Sequence, residues 1–95
     1  MLLIESVAAS DMKPEVWEDL GETGIKVLVA LHELGGEGDF LNVASKARIG
    51  RSSWLRLMEV LGKYGLIEST SVRSGRVMVN VMRLTEKGRR VAGIL

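Results

Sequence analysis

The 95-residue chain has no cysteine and a single histidine. Without thiols there is no disulfide framework and no thiolate metal centre. One histidine leaves too few nitrogen ligands for a zinc site. No apolar run is long enough to span a bilayer, and the opening MLLIESVAAS carries an acid and lacks the basic start of a secretory signal. A cytoplasmic location is the expectation. Internal repeats, low-complexity tracts and flexible linkers are missing as well. The length suits one domain with one modest core. A content of 46% hydrophobic and 26% charged residues is the ordinary balance of a folded chain.

Catalytic constellations are equally scarce. Ser52 and Ser53 have no histidine placed to activate them. Glu18 and Asp19 are adjacent, so on a helix their carboxylates diverge. GGEGDF, from Gly35 to Phe40, lacks the third glycine and the following basic residue of a nucleotide loop. His32 falls on an apolar helix face and reads as a core or boundary histidine, not a ligand or a base. The chain reads as a non-enzyme without a cofactor.

What is present is a separation of charge. Residues 1–39 hold two lysines against nine acids, a net of −7, while residues 40–95 hold eleven Lys or Arg against three acids, a net of +8. Such a split points to a polyanion on the basic half. The competing reading is that the two halves attract each other within the chain.

The periodicity predicts mixed helices and strands. Pro14 suits the first turn of a helix whose acids Glu15, Glu18 and Asp19 sit near its positive end. Residues 2–8 read as a strand or a helical turn. Thr23 to Leu34 reads as a helix with Ile25, Leu28, Val29 and His32 on one face and Val27, Ala30 and Leu34 on nearly the opposite one. The glycines from Gly35 to Gly38 end it, and Asp39 is placed to cap a short helix over Phe40 to Ala47. A tight turn, Arg48 to Arg51, leads to a helix over Ser52 to Tyr64, with Ser52 or Ser53 as its cap. There Trp54, Leu57, Met58 and Leu61 share the inner face, Arg56, Glu59 and Lys63 point outward, and Gly65 supplies the left-handed stop. LIESTSV and VMVNVMRL read as strands joined by RSGR, with the turn centred on Ser74 and Gly75, and Thr85 opens a last helix. The expected core is Ile25, Leu28, Val43, Ile49, Trp54, Leu57, Leu61, Leu66, Ile67 and Leu84.

Two helices joined by a tight turn and followed by a basic hairpin resemble a winged helix-turn-helix DNA-binding domain, of the kind found in MarR-like and small archaeal regulators. VASKARIGRSSWLRLMEVLGKYGLIE resembles the helix-turn-helix and the entry to the first wing strand, with Tyr64 directly before Gly65. SGRVMVNVMRLTEKGRRVA is similar to the wing, its second strand and the start of the closing helix. The resemblance covers residues 22–95 and implies an α+β fold: a three-helix core, a β-hairpin wing and a C-terminal helix. Residues 1–21 would be a separate dimerisation or packing element.

By the same resemblance the helix over Ser52 to Tyr64 is the recognition helix, and Arg73 and Arg76 sit on the wing. Elementary chemistry agrees. Helix N-terminal amides flanked by Arg51, Ser52 and Ser53 suit a phosphate or a base edge. Arg56 can offer two donors to a guanine, and wing arginines suit a phosphate or a narrow minor groove. The expected contact set is Arg48, Arg51, Ser52, Ser53, Arg56, Lys63, Arg73 and Arg76. Leu55 and Val60 stand where such helices usually carry polar residues. Leu55 would meet a thymine methyl or pack on a neighbour, while Trp54 belongs to the core.

The expectation is therefore a transcriptional regulator of double-stranded DNA. An architectural DNA-binding protein and a protein-interaction module are the alternatives. No ligand-sensing domain is legible, so no effector is assigned. Both faces of the first long helix are apolar, and Val77, Val79 and Val81 alternate with Met78, Met82 and Leu84 on the last strand. That surplus predicts a homodimer built on residues 1–20 and part of the long helix, with Trp17 as an anchor. Otherwise the N-terminal segment folds back over its own domain.

Overall fold

Pro14 opens the first helix of the computed structural model, which describes residues 13–95. The reading of residues 2–8 lies outside them, as does most of the segment assigned to a dimer interface. Helix α1 runs Pro14–Glu33 with one non-helical residue inside it, Gly21, at φ 64° and ψ −172°. A left-handed φ is open to glycine at little cost. The joint lets Val16 and Leu20 before it, and Gly24, Val27, Leu28 and Leu31 after it, bury themselves together.

The buried stripe of α1 is rotated one residue from the expected face. Gly24, Val27, Leu28 and Leu31 face the core, Ile25 and Val29 are half-buried, and His32 is exposed. His32 is thus no core histidine. Gly24 hides the true stripe because it has no side chain to signal apolarity. Its bare backbone is packed all the same, since a Cβ there would lie 2.8 Å from Leu20 Cβ.

The glycine stretch holds an element the periodicity does not predict. After Gly35 and Gly36, both at positive φ, strand β1 spans Glu37–Asp39. Three residues with a glycine at the centre give no alternation to read. Helix α2, Phe40–Ala47, starts as expected: Asp39 Oδ1 accepts from Asn42 N at 2.8 Å. It ends at Arg48, the one non-glycine residue with positive φ among those described (φ 57°).

Helix α3 spans Arg51–Lys63. Its N-cap is Gly50 in extended conformation, with no side-chain cap bond, so neither Ser52 nor Ser53 caps it; both already lie within its first turn. Gly65 supplies the positive φ after the helix, as expected. Strands β2, Ile67–Ser74, and β3, Val77–Leu84, form the hairpin. The turn is Gly75–Arg76, one residue later than the composition suggests, with positive φ at Gly75 only, as a type II′ hairpin turn requires. Helix α4, Glu86–Gly93, is capped by Thr85, whose Oγ1 accepts from Gly88 N at 3.0 Å and donates to Gly65 O at 2.6 Å.

The sheet is antiparallel in the order β1-β3-β2, and β1 covers only Val81 to Arg83 of β3. The outer half of the hairpin therefore projects alone, each of its strands paired only with the other. The core lies between α1, α2, α3 and α4 and the inner end of the sheet. Leu28, Val43, Trp54, Leu57, Leu61, Leu66, Ile67 and Leu84 are buried as expected. Ile25 and Ile49 are only half-buried, while Val16, Leu20, Val27, Leu31, Met82 and Val91, with four alanines, complete the core.

Candidate nucleic-acid interface

The outward side of α3 is set by helical geometry. With Trp54, Leu57 and Leu61 buried, Arg51, Ser52, Leu55, Arg56, Glu59 and Lys63 are left exposed. Ser53 is half-buried. Val60 is not on this face; it packs half-buried against the core, so Leu55 alone breaks the polar surface. The Arg51 guanidinium lies 5.9 Å from the centre of the Phe40 ring, which packs edge-on to Trp54 at 4.7 Å. That stacking holds Arg51 at the start of the helix.

The hairpin register fixes which wing residues share a side. Directly paired residues of an antiparallel ladder project to the same face. Ile67 and Leu84, Ser69 and Met82, Ser71 and Asn80, and Arg73 and Met78 are such pairs. Ser69, Met78, Asn80 and Met82 line one wall of an open groove of about 700 Å³ whose other wall is Phe40, Leu41, Arg51, Trp54, Leu55 and Met58. Arg73 is thus on the groove side of the wing, and Arg76 occupies the tip turn. Leu41 and Met78, 73% and 60% exposed, are groove residues absent from the expected contact set. Strict strand alternation marks Met78; nothing local marks Leu41, which follows the half-buried Phe40.

The structure gathers some expected contacts and separates others. Arg48 lies in the turn before α3, Arg51 at its first residue, and Arg56 just over a turn further on. Lys63 is at the far end of the helix, about 18 Å from Arg51 at 1.5 Å per residue. There its ammonium sits 5.3 Å from the centre of the Tyr64 ring. The Tyr64 hydroxyl donates to Asp19 on α1, and Lys87 Nζ donates to Tyr64 O at 3.1 Å. The hydrogen bond to Asp19 holds the Tyr64 phenol pKa above its ordinary value; burial and the charges of Asp19 and Glu15 push the same way. Trp17 is half-buried against the core beside the buried Val16 and Leu20, so in the single chain residues 14–20 fold back on their own domain.

Four cations are ion-paired among the described residues. Lys46 pairs with Glu33 and Arg83 with Glu37, each joining the basic half to the acidic one, while Lys26 and Arg90 pair within their helices. Arg48, Arg51, Arg56, Arg73 and Arg76 are all exposed, and none forms an ion pair among the described residues. Attraction between the halves explains Lys46 and Arg83 but not these five arginines. Among the described residues there is no group of three or more His, Cys, Asp or Glu placed to hold a metal, and no helix is long and apolar enough to cross a membrane.

No protein-family model matches the chain, and no curated protein does. Among solved structures, the crystal structure of transcriptional regulator PA4135 is similar, with a TM-score of 0.67 and 26% identity. The match covers 95% of this chain and 65% of that regulator's. The fold is a winged helix. In this winged helix α2 and α3 form the helix-turn-helix and β2–β3 the wing.

Proposed function

We propose that the chain is a DNA-binding transcriptional regulator of the MarR-like or small archaeal kind. It docks α3 in the major groove and sets the wing on the flanking backbone or minor groove. The observation that carries this is the set of five arginines that form no ion pair among the described residues, spread over the turn, the helix and the hairpin. Arg48 adds to it, because an arginine stands at a left-handed position that glycine would occupy at lower cost. Ser52, Ser53 and Lys63 complete the proposed contacts, and the uncapped start of α3 leaves its first amides to a phosphate. No catalytic step and no cofactor belong to this reading, and the compartment is the cytoplasm.

The test is fluorescence anisotropy with labelled duplexes across a salt series. Binding is expected to weaken by about 0.9 log unit per tenfold rise in salt for each phosphate neutralised. Arg76→Ala should weaken binding to all sequences alike and flatten that slope by about one unit. Arg56→Ala should lose roughly 1–3 kcal/mol on the preferred site and much less on random duplex. Salt-insensitive binding, or no binding at low salt, would retire this reading. The exposed Leu41, Leu55 and Met78 would then favour a protein-interaction module. Base-independent affinity would instead favour an architectural role.

The regulator is proposed to act as a homodimer through residues 1–20 and part of α1, with the exposed part of Trp17 as an anchor. Two-fold symmetry would place two α3 helices about one DNA turn apart. Static light scattering at micromolar concentration should give twice the chain mass of 10.4 kDa. A monomer mass would rule the dimer out at that concentration.

A further inference from the structure

Leu55 is 78% exposed, more than any other large hydrophobic residue described. A single exposed leucine is ordinary on a protein surface; what sets Leu55 apart is the pair of cations beside it. Its neighbours define a partner. Arg51 lies one turn before it, Arg56 directly after it, and both are exposed cations without ion pairs among the described residues. A complementary surface must offer anions on either side of a small apolar spot, within reach of one helical turn.

The B-DNA major groove has that pattern at one kind of base. Phosphates line its margins, and the C5-methyl of thymine is the one apolar group among the base edges. We infer that Leu55 is a specificity-determining residue that covers a thymine methyl. The inference rests on the DNA-binding reading above and deepens it. Arg51 and Arg56 position α3 against phosphate or guanine, and Leu55 selects the base between them. Leu41 and Met78 line the same groove as Leu55, but from α2 and the wing and not from α3. They therefore do not share this role.

The experiment starts from duplexes selected for binding out of a randomised pool. Each thymine is replaced in turn by deoxyuridine, which removes one methyl and leaves every hydrogen-bonding group in place. For the parent protein, at least one position should weaken binding about fourfold, the scale of one methyl withdrawn from water. Leu55→Ala should bind the thymine and deoxyuridine versions of that position equally. Leu41→Ala, also at an exposed leucine, should keep the discrimination. Tight duplex binding with no methyl-sensitive position overturns the inference and leaves the DNA reading standing. Discrimination that survives in Leu55→Ala also overturns it. If the parent selects no duplex at all, the DNA reading fails and this inference fails with it.

Discussion

Leu61→Ala is expected to lose about 2–5 kcal/mol of unfolding free energy, the range for truncating a buried leucine. Leu61 is wholly inaccessible, in the last full turn of α3, on the stripe with Trp54 and Leu57. Its carbonyl also accepts from Leu66 N at 2.9 Å across the turn at Gly65. The surrounding backbone is therefore tied and has little freedom to collapse into the space left behind. Domains of this size are stable by only about 5–15 kcal/mol in total, so the loss is a large fraction. Urea unfolding followed by circular dichroism measures it. A change under about 0.5 kcal/mol, typical of a surface site, would contradict the orientation of α3.

Gly88→Ala should be destabilising by about 1–3 kcal/mol or more, the cost of forcing atoms into a packed site. Helix propensity alone predicts the opposite sign, a gain of about 0.5–1 kcal/mol for alanine over glycine. The decisive feature is close approach. A Cβ on Gly88 would lie 2.0 Å from the Leu66 carbonyl oxygen and 3.2 Å from Leu84 Cδ2. That carbonyl cannot swing aside freely, because it accepts from Thr85 N at 3.1 Å. Relief requires α4 to move away from the start of β2, breaking the Thr85 cap and exposing Val91 and Ala92. Thermal melts of parent and variant give the sign directly. A stabilised variant would show that α4 does not sit this close to the sheet.

These two residues also mark where the sequence is legible. Leu61 is readable because Trp54, Leu57 and Leu61 repeat at helical spacing and side-chain polarity is local information. The Asp39 cap and the Gly65 stop are readable for the same reason, since each acts through its immediate neighbours. Gly88 and Gly24 are not, because close packing of bare backbone depends on what arrives from elsewhere in the chain. Strand β1 escapes notice because its pairing partner, β3, is more than forty residues away and its own three residues carry no pattern. The one-residue rotation of α1 follows from Gly24 as well. For the interface, the charges of Arg48, Arg51, Arg56, Arg73 and Arg76 are evident from composition. Which of them share a groove wall depends on the hairpin register and the length of α3. Leu41 becomes visible only once β3 stands opposite it.

The projecting hairpin has a consequence for how such a molecule can change. Of β2 only Ile67 is buried, and beyond Val81 the strand β3 has no neighbour but β2. From Thr70 to Asn80 no residue contributes to the buried core. Its local stability comes from cross-strand pairs and the Gly75 turn, a source separate from the hydrophobic centre. Side chains there can be exchanged by drift or by selection with little penalty to folding, provided the glycine and the register survive. Helix α3 has no such latitude, because each of its turns presents one face outward and commits the other to the core. Of the two basic elements, the wing is the one whose exposed side chains can change with least penalty to folding.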